Sequence, residues 1–331
     1  METKVTNNWK ELANNVIGGY EINEQEALAL VQAPDEEVLE ILHAAFLIRK
    51  HHFGKKVKLN MIINTKSGLC AEDCGYCSQS IISEAPIDKY AWLTKEEIIK
   101  GAQESIRRKA GTYCIVASGR RPTDNEIDHV IAAVDEIRGT TDLKICCCLG
   151  FLNEEHAKKL SAAGVHRYNH NINTSKGNYE KVCSTHTYDE RVDTVETAKD
   201  AGLSPCSGAI FGMGETDLEA AQIAIALREL GTESIPVNFL NAIDGTPFEA
   251  RTNLTPNQCL KLLAMMRFVN PTREIRMAGG REVNLRSMQA MGLYAANSIF
   301  VGDYLTTSGQ ELSSDWAMIE DLGFEIEESA L

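Results

Sequence analysis

What this 331-residue chain lacks narrows it first. No apolar run approaches the roughly 20 residues that a membrane-spanning helix needs. The opening residues, Met1-Glu-Thr-Lys-Val-Thr-Asn-Asn8, hold no apolar stretch of the kind a secretory signal carries. Base is in the minority: 33 Lys and Arg face 47 Asp and Glu. The resulting formal charge of −14 argues against nucleic acid or an anionic membrane as the main partner. The most basic run, residues 49–56, is short and ends an expected helix, where cations complement the dipole. Ten cysteines in this length are too few for a disulfide scaffold. No linker, low-complexity tract or short repeat interrupts the chain. The expectation is a soluble cytoplasmic protein in a reducing compartment. Its 44% apolar content is ample for a large core.

A Gly-x-Gly-x-x-Gly turn is also missing after the first strand-like run, which weakens a dinucleotide-binding reading. Residues 1–56 read as helical, with Asn7 as a cap and Pro34 near the start of a helix over 35–50. Val38, Ile41, Leu42 and Phe46 give that helix an apolar stripe. Short apolar runs then alternate with amphipathic segments. Strands are expected at 58–64, 112–117, 143–149, 165–171, 203–211, 234–240, 274–278 and 298–301. Helices are expected near 95–109, 124–138, 153–163, 188–201, 216–230, 256–269 and 281–291. Thr94 and Asn153 are expected N-caps, and Gly139, Gly164, Gly202 and Gly231 expected C-caps. Eight strands alternating with helices predict an α/β fold, a (βα)8 TIM-type barrel. The expected organisation is an N-terminal helical extension (1–56), the barrel (57–301) and a C-terminal tail packing on it (302–331).

The richest local signal is Cys70-Ala-Glu-Asp-Cys74-Gly-Tyr-Cys77, a C-x3-C-x2-C triplet directly after the first strand. A 4Fe-4S cubane has four irons, each normally held by a thiolate, so three thiols leave one iron open. A structural zinc site with a distant fourth ligand is the alternative, although no second C-x2-C or H-x3-H follows. Cys114, Cys146, Cys206 and Arg276 fall on the second, third, fifth and seventh expected strands and could all point into the barrel. Each cysteine taken alone reads first as a small core residue. In Cys146-Cys147-Cys148, alternation puts 146 and 148 on one face, and pattern does not choose between them. Cys183 and Cys259 read as bystanders.

Further motifs stand in order: Tyr168-Asn-His-Asn-Ile-Asn-Thr174, Cys206-Ser-Gly-Ala-Ile-Phe-Gly-Met-Gly-Glu-Thr216, Pro236-Val-Asn238, Gly245-Thr-Pro247 and Arg276-Met-Ala-Gly-Gly-Arg281. With the cysteine triplet, they make the chain resemble the biotin synthase family of the radical S-adenosylmethionine superfamily along nearly its whole length. The resemblance implies radical sulfur insertion into dethiobiotin. It implies a 4Fe-4S cluster on Cys70, Cys74 and Cys77, and a 2Fe-2S cluster on Cys114, Cys146, Cys206 and Arg276. Cys146 is selected because the family pattern there is Cys-x-x-Leu-Gly. Tyr76, Asn171, Asn173 and Arg191 match contacts to S-adenosylmethionine. At position 173 the family often has an acid, which Asn173 replaces without the charge. Asn169, Asn171 and Asn238 match substrate contacts. A homodimer and an electron donor of flavodoxin or ferredoxin type are implied in the same way. Mutases and metallocofactor maturases of the superfamily should lack the set at 114, 146, 206 and 276.

Overall fold

The computed structural model describes residues 8–252 and 254–327. Helices α1 (Trp9–Ile17), α2 (Glu24–Gln32) and α3 (Val38–Phe53) lead in. Asn7 lies outside the described residues; the cap of α1 is Asn8, whose side chain accepts the Glu11 amide. The predicted stripe holds, with Val38, Ile41 and Leu42 buried and Phe46 packed edge-on against Tyr294. A 3-10 turn at Asp35–Glu37, not α-helix, follows Pro34.

Parallel strands then alternate with helices: β1 (Lys56–Lys66), α4 (Lys95–Arg107), β2 (Thr112–Ala117), α5 (Asp124–Thr140), β3 (Lys144–Cys148), α6 (Glu154–Ala162) and β4 (Arg167–Asn169). The series continues with α7 (Tyr188–Asp200), β5 (Ser204–Cys206), β6 (Ala209–Phe211), α8 (Asp217–Glu229), β7 (Ser234–Phe239), α9 (Pro256–Val269) and β8 (Glu274–Met277). It ends with α10 (Arg281–Leu285), α11 (Gln289–Gly292), β9 (Ser298–Phe300), α12 (Leu312–Asp321) and β10 (Glu325–Ile326). Local chemistry fixes where the helices start. Thr94, Thr123, Thr187, Thr216 and Thr255 each cap a helix reciprocally with a Glu or Gln three residues on.

The strands run β1-β2-β3-β4-β5-β7-β8-β9, and β9 returns to β1 through Lys58 opposite Ser298, so the sheet closes as the predicted barrel. Alternation sorts the side chains. Tyr113, Ile115, Ile145 and Cys147 pack outward in the apolar layer that holds Ile98 of α4 and Val130 of α5. Cys114 and Cys146 pack inward with Ala278 and Phe300. At the opposite edge β10 pairs with the start of β1, joining Lys56 to Glu325 and Val57 to Ile326.

Four more expectations change. The fourth strand stops at Asn169, so Asn171 and Asn173 lie in the loop beyond it; Asn173 is left-handed, at φ 68°. The fifth strand is broken into β5 and β6 by Ser207-Gly208. There side chains replace ladder bonds: Ser207 Oγ accepts the Ile172 amide at 3.1 Å and Asn171 Oδ1 accepts the Gly208 amide at 3.0 Å. A Cβ on Gly208 would lie 1.9 Å from the Pro236 carbonyl, so only glycine permits this crossing. Gly139 is inside α5, which runs on to Thr140. The helix expected over 281–291 is two short helices around a 3-10 turn, where Arg286 has φ 53°.

Candidate active site

The inward residues of the barrel meet in a cavity of about 380 Å³ at the C-terminal ends of the strands. At its floor Glu274, two residues before Arg276 on β8, gathers four donors. Arg276 Nη2 at 2.6 Å and Ser298 Oγ at 3.1 Å reach Oε1; Arg167 Nη1 at 2.8 Å and Lys58 Nζ at 3.1 Å reach Oε2. Burial would raise this carboxyl, but Arg276, Arg167 and Lys58 hold it well below the carboxylate range. Arg276 is buried too, and Glu274 together with Cys206 and Cys114 keeps it charged against the cost of burial. Its Nη2 also reaches Ser234 Oγ at 2.9 Å, while Nη1 has no hydrogen bond among the described residues.

Above the floor stand three buried thiols. Cys114 and Cys146 are paired across β2 and β3, and Cys206 is paired with Asn169 across β4 and β5. Hydrogen bonds with Cys114 and Cys206, then burial, push the Cys146 thiol up. Cys206 moves the other way, chiefly through the hydrogen bond from Cys146 and then through Arg276 and Arg167. Asn169 Nδ2 adds a bond of 3.2 Å to Cys206 Sγ. Cys147 faces the helices, as alternation requires, while Cys148 is half-buried and lines the cavity.

The loop after β1 brings Cys70, Cys74 and Cys77 to the cavity mouth. Tyr76 turns inward beside them and accepts from Asn173 Nδ2 at 2.8 Å. Arg191 comes from the first turn of α7 and lines the cavity. Its Nη1 donates to the Asn171 carbonyl at 2.9 Å, and its Nε meets the Tyr179 hydroxyl and His186 Nε2. Asn171 Oδ1 accepts from Asn169 Nδ2 at 3.0 Å. Asn238 is locked between the Ala209 carbonyl at 3.1 Å and the Gly279 amide at 2.9 Å. Twelve of the thirteen sequence-predicted site residues line this one cavity; Cys206 sits just behind Asn169.

Several residues escaped the sequence reading. Cys183 is no bystander: its Sγ lies 3.7 Å from Cys74 Sγ and 3.2 Å from His186 Nδ1. Arg191 donates to His186 Nε2, so the proton on Nδ1 points at Glu72 Oε2, 2.5 Å away. The pair is separated by over a hundred positions, and nothing local announces it. His170 lines the cavity with Nε2 buried and unpartnered. Glu274 was readable, because period-two alternation puts it on the face of Arg276.

The thiols suit multi-iron groups better than a single ion. Among the described residues, the one trio of ligand atoms within 4.8 Å of one another is Cys74, Cys183 and His186. Neither Cys70, Cys74 and Cys77 nor Cys114, Cys146 and Cys206 converges so tightly. Five of these six thiols instead border open volume, with Cys206 just behind Asn169, and Arg276 lines the same cavity.

Comparison with known proteins agrees. The Radical SAM superfamily matches residues 65–227, and the Biotin and Thiamin Synthesis associated domain matches residues 236–325. Biotin synthases of Bacillus cereus (strain AH187) and Bacillus anthracis are 70% identical to the chain over 330 residues, covering 100% of it and 99% of their own length. Among solved structures, methylornithine synthase (PylB) superposes with a TM-score of 0.84 at 19% identity, over 96% of this chain and 98% of that one. HydG, a maturase of the [FeFe]-hydrogenase, gives 0.80 at 17% identity, over 99% of this chain and 78% of its own. Those two likenesses carry the barrel fold.

Proposed function

The chain belongs to the biotin synthase family, and on that premise we propose how its residues divide the work. It is an enzyme of radical sulfur insertion, converting dethiobiotin to biotin with S-adenosylmethionine, a 4Fe-4S cluster and a 2Fe-2S cluster. When bound, these groups supply an electron, a radical strong enough to take hydrogen from unactivated carbon, and the inserted sulfur, none of which a side chain can provide.

Cys70, Cys74 and Cys77 hold the 4Fe-4S cluster; Cys114, Cys146, Cys206 and Arg276 hold the 2Fe-2S cluster. Glu274 fixes Arg276 from below through Nη2, which leaves Nη1 for the cavity. Arg191 offers its guanidinium to the methionyl carboxylate, braced by Asn171, Tyr179 and His186. Tyr76 and Asn173, bonded to each other, flank the nucleoside. Asn169, Asn171 and Asn238 present amides to the cyclic urea of dethiobiotin, which needs both donors and acceptors. Ile62, Val116, Ile210 and Phe300 give the cavity apolar walls that exclude water from the reacting carbons. An electron donor of flavodoxin or ferredoxin type, a homodimer and a cytoplasmic location complete the proposal. So does the division into extension 1–56, barrel 57–301 and tail 302–331.

The observation that carries these roles is the meeting of Cys70, Cys74, Cys77, Cys114, Cys146 and a buried arginine on one cavity, with Cys206 just behind Asn169. The test is anaerobic. The protein should carry about six irons with matching sulfide and form biotin from dethiobiotin. Replacing Cys70, Cys74 or Cys77 with Ala should abolish cleavage of S-adenosylmethionine. Cleavage at the wild-type rate in any of the three would overturn the ligand assignment.

A further inference from the structure

Cys183 has no task in the reaction, yet it is buried against a cluster thiol. The two sulfurs are 3.7 Å apart, and no other thiol stands at hydrogen-bond distance from Cys74 Sγ among the described residues. The backbones that carry them are already joined. The Gly75 amide donates to the Val182 carbonyl at 2.9 Å, and Asp73 Oδ1 accepts the Ser184 and Thr185 amides at 2.9 and 3.1 Å. A disulfide needs sulfurs about 2.05 Å apart and Cα atoms within roughly 7 Å. The hydrogen-bonded peptide groups hold the two cysteines side by side with their sulfurs 3.7 Å apart, so the gap left to close is one of side-chain rotation.

We propose that Cys183 is a resolving thiol, which captures Cys74 as a disulfide when an oxidant of the peroxide class removes the metal from the loop. Cys74 lines the cavity and Cys183 stands behind it, so the oxidant meets Cys74 first. The Cys74 sulfur takes one peroxide oxygen and becomes a sulfenic acid, while the other oxygen leaves as water. Cys183 sulfur then attacks that sulfur. The S–O bond breaks, the S–S bond forms, and the hydroxide leaves with the Cys183 proton as a second water. Two thiols and one peroxide thus give one disulfide and two waters, with two electrons passing from sulfur to peroxide. The product is reversible by thiol exchange, whereas an unresolved sulfenic acid goes on to sulfinic acid, which is not. The site therefore protects a ligand that the enzyme must keep, and it blocks cluster insertion until the protein is reduced.

The test starts from the full-length, cluster-loaded protein. It is exposed to hydrogen peroxide, alkylated and cut with trypsin without reduction. In the wild type, segments 67–89 and 182–191 should appear as one species, two hydrogens lighter than their sum, with the link assigned by fragmentation to Cys74 and Cys183. Dithiothreitol, iron and sulfide should then restore the 4Fe-4S absorbance. Cys183→Ser preserves a hydroxyl for Asp73 and His186, but its Cys74 should carry two added oxygens and its absorbance should not return. Alkylated Cys183 in the oxidised wild type, or Cys74 linked to Cys70 or Cys77, would overturn the proposal. Biotin formation does not enter the readout, so the residue roles above stand or fall separately.

Discussion

Glu274 is the residue on which the cavity floor turns. One carboxylate balances Arg276, Arg167 and Lys58, all drawn out of bulk water. Removing a cation and removing the anion are therefore unequal acts. Arg276→Ala leaves Glu274 two cations, and three thiolates carry most of the cluster binding. Both clusters should assemble, with a shifted 2Fe-2S electron paramagnetic resonance spectrum and slower turnover. Complete loss of the 2Fe-2S signal would make the arginine a structural ligand, and an unchanged spectrum would make it no ligand. Glu274→Ala strands the cations together, and losing one side of a buried ionic group costs roughly 3–5 kcal/mol. Thermal unfolding should place this variant well below Arg276→Ala; equal midpoints would refute the argument. Arginine is an odd iron ligand, so nothing in its own chemistry pointed to Arg276. Only the motif did.

Elements were legible to the extent that their signals were local. The threonine caps and the alternating strands followed from spacing, and β2 spans 112–117 as expected. Alternation also separated Cys147 from its neighbours on β3, and the structure sends it outward. Accordingly Cys146→Ala should remove the 2Fe-2S spectrum and Cys147→Ala should leave it. Cys148→Ala is the sharper trial, since loss there and not at 146 would put the register off by two. The break between β5 and β6 was not legible, because it depends on another loop, whose Ile172 amide donates to Ser207 Oγ and whose Asn171 side chain accepts the Gly208 amide. Nor was the Glu72–His186–Cys183 group, which exists only once two distant loops meet. The cap of α5 adds a pH dependence. Burial pushes the Glu126 carboxyl up, but Lys66, the Thr123 amide and the Trp92 indole bring it down to about 2 from its ordinary 4.5. A depressed folded value means stability present above about pH 4.5 and lost as pH falls toward 2. Glu126→Gln should flatten that limb of the acid-unfolding curve, and an unaltered limb would show that the carboxylate contributes nothing.

The molecule as a whole folds its own C-terminal segment back over the site. After β9, Tyr304, Leu305, Thr306 and Thr307 border the cavity. Thr306 meets Ser78 at 2.7 Å, and the Leu305 carbonyl accepts Asn64 Nδ2 at 2.9 Å. Amide exchange across 303–307 should slow when S-adenosylmethionine and dethiobiotin are added together, and exchange indifferent to both would remove this segment from the site. The seam of the barrel has a different consequence, one of timing. β1 joins β2 early in the chain, but Lys58 must wait for Ser298 and Lys56 for Glu325. Contacts so distant in sequence form late, since the loop-closure entropy comes before the reward. A growing chain therefore holds Cys70 through Cys206 while its ring is still open. On that order, the thiols assigned to the clusters await their metal while no wall yet bars the way. In pulse-labelled refolding, the amides of 58–60 should gain protection after those of β2 and β3; the reverse order would mean that the ring shuts first and its contents arrive through the mouth.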